Sequence, residues 1–264
     1  MPSLHAKTRE EKSRMSTDTV RACVALGVAF AMANAAACSS NGVVVPGGSA
    51  GDAAATTSDS GTGLNPDGVR YPSPAAGYGH TARSGDTPGS VIADFSFQGR
   101  LAGSTELTTI SLARYYDPCN KRYKILHLSV AAVWCEPCSE ETMAVVADLS
   151  SSDGVLDKDK IVFVQALDDG PTEGVPATVG DLDQWITQND SNFTEMLDPG
   201  LMNLGGFFDA AAIPWNSDID VRTMEMLDSN EGWAGDVQTE VAGGLAALPA
   251  TPSYPVPASA GCPK

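Results

Sequence analysis

The segment Trp134-Cys135-Glu136-Pro137-Cys138 constrains this chain more than any other, because its two cysteines stand in a Cys-x-x-Cys pattern directly after an apolar run. The preceding residues, YKILHLSVAAV (123–133), read as a buried strand. In the following SEETMAVVADLS (139–150), Met143, Val146, Ala147 and Leu149 recur at helical spacing, and Glu140, Glu141 and Asp148 are expected to face water. The cysteines therefore sit where a strand turns into a helix. A helix N-terminus offers unpaired N–H groups and the positive end of the macrodipole, which favours a thiolate. Cys135 is expected to be the attacking sulfur and Cys138, one turn on, the resolving one. Pro137 restricts the loop at a position where a missing donor is not felt. The chemistry is reversible exchange between an internal disulfide and a partner's thiols.

Other uses of a cysteine pair fit less well. A structural zinc site needs about four ligands, commonly as two close pairs; here there is one pair, and Cys119 and Cys262 stand apart. Haem attachment requires His after the second cysteine, and residue 139 is Ser. A purely structural staple stays open, although so short a loop gains little chain entropy from closure. No metal and no cofactor beyond the disulfide itself is expected.

Composition divides the chain into four parts. Residues 1–37 carry Lys7, Arg9, Lys12, Arg14 and Arg21 ahead of the apolar run ACVALGVAFAMANAAAC, the pattern of an export signal peptide. Residues 38–90 are rich in Gly, Ser, Ala and Pro with few large apolar groups, and read as a disordered tether. Residues 91–248 form the folded domain, and 249–264 a Pro-rich C-terminal tail. The small residues before Cys38 resemble a bacterial lipoprotein box, with Ala35 where Leu is usual, so Cys38 is a lipidation candidate; ordinary cleavage after Ala-x-Ala is the competing reading. The expected location is the cell envelope on the periplasmic side, with the membrane reached through the lipid anchor.

An oxidising compartment lets disulfides persist. Cys119 and Cys262 then either form a bridge that pins the tail or remain two free thiols, since spacing does not fix connectivity. The net charge is −17; residues 1–37 hold five of the 16 basic and three of the 33 acidic residues, so their removal leaves −19. Nucleic acid is excluded as a partner by that charge.

Along the domain, VIADFSFQGRLAG (91–103) predicts a short strand with a turn at Gly99, and TELTTISLARYYD (105–117) a strand running into a helical turn. The central strand, the dithiol helix, the strand KIVFVQAL (160–167) and an amphipathic helix with Val179, Leu182, Trp185 and Ile186 on one face follow. This order predicts an α/β fold with a parallel central pair. A short strand at FTEMLDP (193–199), a short helix over LMNLGGFFDA (201–210), two extended runs joined near Val221–Thr223 and a last helix over 233–248 complete the reading. Gly243-Gly244 weakens that helix.

From residue 91 to 248 the chain resembles the thioredoxin-like superfamily, in particular the exported redoxin and TlpA-type thiol–disulfide oxidoreductases. The resemblance rests on Trp134, the Cys-Glu-Pro-Cys loop, Glu141 three positions after Cys138, Ile213-Pro214 before an extended segment, and the insertion between the dithiol unit and that proline. It implies a central mixed sheet flanked by helices. It also implies a cis Ile213-Pro214 bond opposite the dithiol, with Ile213 pairing to an extended substrate segment and Trp134 shielding the sulfurs. In the related cytochrome c maturation reductases a glutamate at the place of Glu141 lies near the cysteines, so Glu141, with Glu136 and Pro137, is a candidate for tuning thiol acidity; a solvated first-turn Glu is the competing reading. Met143 departs from that subgroup, where a helix proline is often found.

His127 reads as a core histidine. The copper-chaperone relatives need a downstream His, and the histidines here are His5, His80 and His127. The expected function is disulfide exchange with protein thiols and disulfides of the envelope, using an external electron donor or acceptor. Two rivals remain: a binding module whose disulfide is structural, and a thiol-dependent peroxide-reducing redoxin, although Val-Trp-Cys lacks the Thr that peroxidases carry before their cysteine.

Overall fold

The computed structural model describes residues 63–72, 89–208, 212–253 and 255–262. The export segment, Cys38 and the first part of the tether lie outside the described residues. Among the described residues no helix is long and apolar enough to cross a membrane.

A hairpin of β1 (Ser96–Arg100) and β2 (Leu107–Ser111) leads through a 3-10 turn at Leu112–Tyr115 to β3 (Ile125–Ala131). Then come α1 (Glu136–Leu149), α2 (Val155–Asp159), β4 (Ile161–Leu167), α3 (Val179–Gln188) and β5 (Thr194–Leu197). The chain closes with β6 (Trp215–Asp220), β7 (Glu225–Met226), β8 (Asn230–Glu231), α4 (Val237–Glu240) and α5 (Ala242–Ala247). The sheet runs β2-β1-β5-β4-β3-β6-β7, with β8 also on β6. Its centre is parallel, β3 with β4 and β4 with β5, and β6 lies antiparallel to β3. Both faces of β3 are covered, and all seven of its residues are buried.

Alternation along the strands separates two unlike faces. On one, Leu126, Leu128 and Val130 join Val164, Ala166, Trp215 and Ile219 in a largely apolar core, in which the buried Ser217 donates to Asp228 O at 2.8 Å. On the other, Ile125, Val145, Leu156, Phe163 and Val237 pack at one end, and Ala131, Cys138, Leu167, Leu182 and Trp185 at the end nearer the cysteines. The middle of this second face is polar: His127, Ser129, Gln165, Asn216 and Asp218, all buried. The helices contribute to the second face and not to the first core.

That asymmetry corrects the expected boundaries. The helix predicted over 201–210 is replaced, among its described residues, by a series of turns. Asp198 takes the backbone N–H groups of Asn203 and Leu204 on its carboxylate, at 2.9 and 2.8 Å, so they do not enter a helical ladder. The apolar face is covered instead by segments assigned to tether and tail. Val69 and Tyr71 bury against it, and Asn65 holds its own turn by accepting from Val69 N at 2.7 Å while donating to Tyr116 O at 3.0 Å. At the other end Cys262 is disulfide-bonded to Cys119, and Arg222 donates to Pro249 O at 2.7 Å. The folded unit therefore extends beyond 91–248 at both ends.

Two glycines play different parts from those their sequence context suggests. Gly99 lies inside β1, where a Cβ would meet the Glu195 carbonyl and Met196 backbone of β5; the turn falls further on, around Gly103 at φ +69°. Gly244 lets α5 approach β6 so closely that a Cβ would fall on Asp218. The last helix begins at Val237, capped by Asp236, which accepts from Thr239 N at 2.8 Å, and it breaks at Val241.

Candidate active site

The chain leaves β3 at Ala131, turns through Val133 and Trp134, and enters α1 with Cys135 as its N-cap. The Cys135 sulfur accepts from Cys138 N at 3.2 Å, so a sulfur replaces the usual oxygen cap. Cys135 and Cys138 are disulfide-bonded. Their accessibility differs in the direction exchange requires: Cys135 keeps 3% of its surface and Cys138 none. Both sulfurs sit within the core cluster of Ala131, Leu167, Leu182 and Trp185, so Cys135 presents a small aperture and not an open face.

The Ile213-Pro214 bond is cis, and the Ile213 carbonyl oxygen lies 3.9 Å from the Cys135 sulfur. In the oxidised pair that sulfur has no proton to give, so this is a contact and not a hydrogen bond. Pro214 O accepts from Gly232 N at 2.7 Å, which ties the proline to the loop after β8. Trp134 is 39% exposed and donates from Nε1 to Asp169 at 3.3 Å. The same carboxylate oxygen accepts from Gly174 N at 2.6 Å, bracing the loop beside the indole. Asp168, next in that loop, is pushed up to about 6 by burial. Glu136 and Pro137 face solvent.

Glu141 is the main correction within the site. It is buried and not solvated, because the inward face of α1 is Cys138, Glu141, Thr142 and Val145, at helical spacing from the resolving cysteine. Met143 and Ala147, expected inside, are exposed. The phase of the helix is set by what it meets, and the strands beneath it present polar groups. Ser129 Oγ donates to Glu141 Oε2 at 3.1 Å. Thr142 Oγ1 and Trp185 Nε1 both donate to Gln165 Oε1 at 3.0 Å.

Electrostatics follow from that burial. Loss of water pushes the Glu141 carboxyl up to about 7, although His127 nearby favours its ionised form. Burial alone would lower His127; facing Asp218, with Glu141 and Glu240 behind it, the imidazole is carried up to about 9. As an imidazolium it donates from Nδ1 to Asp218 at 2.8 Å and from Nε2 to Asn216 Oδ1 at 3.2 Å. Burial also raises Glu195 to about 8, Asp228 to about 6, and Glu240. His127, Glu141 and Glu240 bring one potential ligand atom each within 4.8 Å of one another. Both ring nitrogens of His127 are already engaged, so the imidazole turns no free lone pair into that space.

The site residues that sequence reasoning does not reach are Ser129, Asp169, Asn216, Asp218 and Glu240. A signal exists in β6, whose WNSDID segment immediately after Pro214 puts Asn216, Ser217 and Asp218 in a row inside a buried strand.

The β3-α1-β4 unit with its N-terminal Cys-x-x-Cys, the antiparallel β6 entered through cis-Pro214, and the mixed sheet define a thioredoxin-like fold. No family model and no curated protein matches the chain. Among solved structures it is similar to a candidate thiol:disulfide interchange protein DsbE from Chlorobium tepidum, with 20% identity and a TM-score of 0.46 over 63% of this chain and 100% of that one. The exposed lipoprotein thioredoxin Etrx1 of Streptococcus pneumoniae matches at 20% identity and a TM-score of 0.42, over 59% of this chain and 100% of the other. A secreted Mycobacterium tuberculosis disulfide oxidoreductase matches at 15% identity and a TM-score of 0.40, over 59% and 96%.

Proposed function

We propose that this chain is an exported thiol–disulfide oxidoreductase that exchanges disulfides with envelope proteins through Cys135 and Cys138, and is held at the membrane by a lipid on Cys38. The observation that carries the reading is one constellation: a disulfide on the first turn of α1, its outer sulfur 3.9 Å from the carbonyl that precedes cis-Pro214. An extended partner segment would pair with Ile213 beside the exposed Trp134, which brings its sulfur to Cys135. In the reducing direction the Cys135 thiolate attacks the partner disulfide and one partner sulfur leaves as thiolate. Cys138 then attacks Cys135, the mixed disulfide breaks, and the second partner sulfur is released. Two electrons and two protons pass to the partner, and an external dithiol restores the pair. Run backwards, the same steps oxidise a partner. Glu141, buried behind Cys138, supports a part in handling the proton of the inner thiol.

Replacing Cys138 by Ala should leave Cys135 covalently trapped on its partners, seen as mixed disulfides with insulin or with native envelope proteins. No trapped species in that variant, with the wild type equally inactive towards insulin, would overturn the reading. The near-complete burial of both sulfurs favours one rival, a binding module with a structural disulfide. A reduction potential below about −300 mV without exchange would select it.

A further inference from the structure

The reduced form of the pair must place a proton on or near Cys138, a sulfur with no exposed surface. Glu141 lies one turn behind it on the same buried face of α1. Beyond Glu141 stand His127 of β3 and Glu240 of α4, with ligand atoms of all three within 4.8 Å of one another. The other titratable groups around them are Asp218 of β6, Asp228 after β7 and Glu195 of β5, all acidic. Among the described residues no Lys or Arg pairs with any of these carboxylates. One imidazolium cannot balance so many buried carboxylates, so several of them hold protons.

Glu240 connects this cluster to solvent. It is nearly buried, accepts from Ala234 N at 2.9 Å, and lines a cavity of about 410 Å³ together with Asp228, Glu231, Trp233 and Thr239. Trp134, Cys135 and Ile213 are not part of that lining.

Resting on the exchange reading above, we propose that Glu240 carries protons between the Glu141 carboxyl, which has an oxygen within 4.8 Å of its own, and water in this cavity, by a route that bypasses the partner-binding surface. When a partner dithiol reduces the pair, its thiolate attacks Cys135 and the Cys135–Cys138 bond breaks with its electrons going to Cys138. Cys138 takes a proton from Glu141. Glu240 reprotonates Glu141 through a bridging water and is itself reprotonated from cavity water, while the His127 imidazolium, with both N–H groups held by Asp218 and Asn216, keeps its protons. The second partner thiolate then displaces Cys135, which leaves as a thiolate and is protonated from solvent; the partner is left as a disulfide. Oxidation runs the same route outward. Glu240 touches no reacting atom and acts only through Glu141.

The test is stopped-flow reduction of the oxidised protein by excess dithiothreitol, followed by tryptophan fluorescence across pH and corrected for the reductant's own thiolate fraction. Wild type should show an inflection near pH 7, where Glu141 titrates. Glu240→Gln should slow reduction at neutral pH by about 10²-fold, the lower end for a lost general acid, and erase that inflection. Glu240→Asp should restore part of both. An unchanged rate and pH profile in Glu240→Gln would overturn the proposal while the wild type still exchanges; an inert wild type would instead overturn the exchange reading. A stoichiometric divalent cation in purified protein, found by elemental analysis, would also overturn it, because the cation would stand in place of the shared protons.

Discussion

Cys119–Cys262 joins residues 143 apart in sequence, whereas Cys135–Cys138 joins residues three apart. In the chain-entropy account the long loop stabilises by about 5 kcal/mol and the short one by about 2 kcal/mol. The long bridge closes the tail over the apolar face of the sheet, among Ala260, Val256 and Tyr123. The short one caps a helix at the other face, against cis-Pro214 and a row of buried acids. On the proposed function one oxidised bond serves as a strap and the other as a reagent, and the difference lies in loop length and surroundings.

The largest effect separating them is on exchange. Cys135→Ser should reduce insulin reduction to background while the thermal midpoint falls by about 4–8 °C, the loss of the short loop's contribution, as read by turbidity and calorimetry on one preparation. Next comes the double variant Cys119→Ser with Cys262→Ser, expected to lose up to about 5 kcal/mol in urea unfolding and to expose the tail to proteolysis. Its exchange rate per folded molecule should stay at the wild-type level; a parallel loss would merge the two bridges into one unit.

A pH effect sharpens the contrast between the faces. Glu195 is raised by burial to about 8 from an ordinary 4.5, so the folded state holds this proton more tightly than the unfolded chain does. Its contribution favours folding fully below the unfolded value and is lost as pH rises from about 4.5 to about 8. Urea titrations at either end should show a fall in stability for wild type that Glu195→Gln flattens. The smallest effect is expected from Trp134→Ala. Partial exposure and one hydrogen bond to Asp169 suit a partner contact, and its removal should raise KM for a protein substrate roughly three- to ten-fold, about 1 kcal/mol, with stability unchanged.

The elements that position the cysteines are legible in the sequence because their signals are local. The β3 run, the dithiol loop and the amphipathic α3 announce themselves in adjacent residues, and parallel β3 and β4 follow from their order. What escapes the sequence depends on distant partners. The phase of α1 is not recoverable from hydrophobic spacing, which assumes an apolar interior, and here Glu141 and Thr142 face Ser129 and Gln165. Residues 63–72 look like tether because two apolar anchors, Val69 and Tyr71, are diluted among Gly, Pro and Asp; only the bare face they cover explains their order. Gly243-Gly244 suggests helix weakness, whereas at Gly244 the missing Cβ is what admits Asp218.

The central claim is that Cys135–Cys138 exchanges and Cys119–Cys262 does not. It is tested most directly by redox titration in glutathione and dithiothreitol buffers, with each cysteine's alkylation read by mass spectrometry. The account predicts that Cys135 and Cys138 are reduced together at a potential above about −300 mV, while Cys119–Cys262 remains oxidised there. Reduction of Cys119–Cys262 first, or both bridges resisting to below about −300 mV, would contradict it.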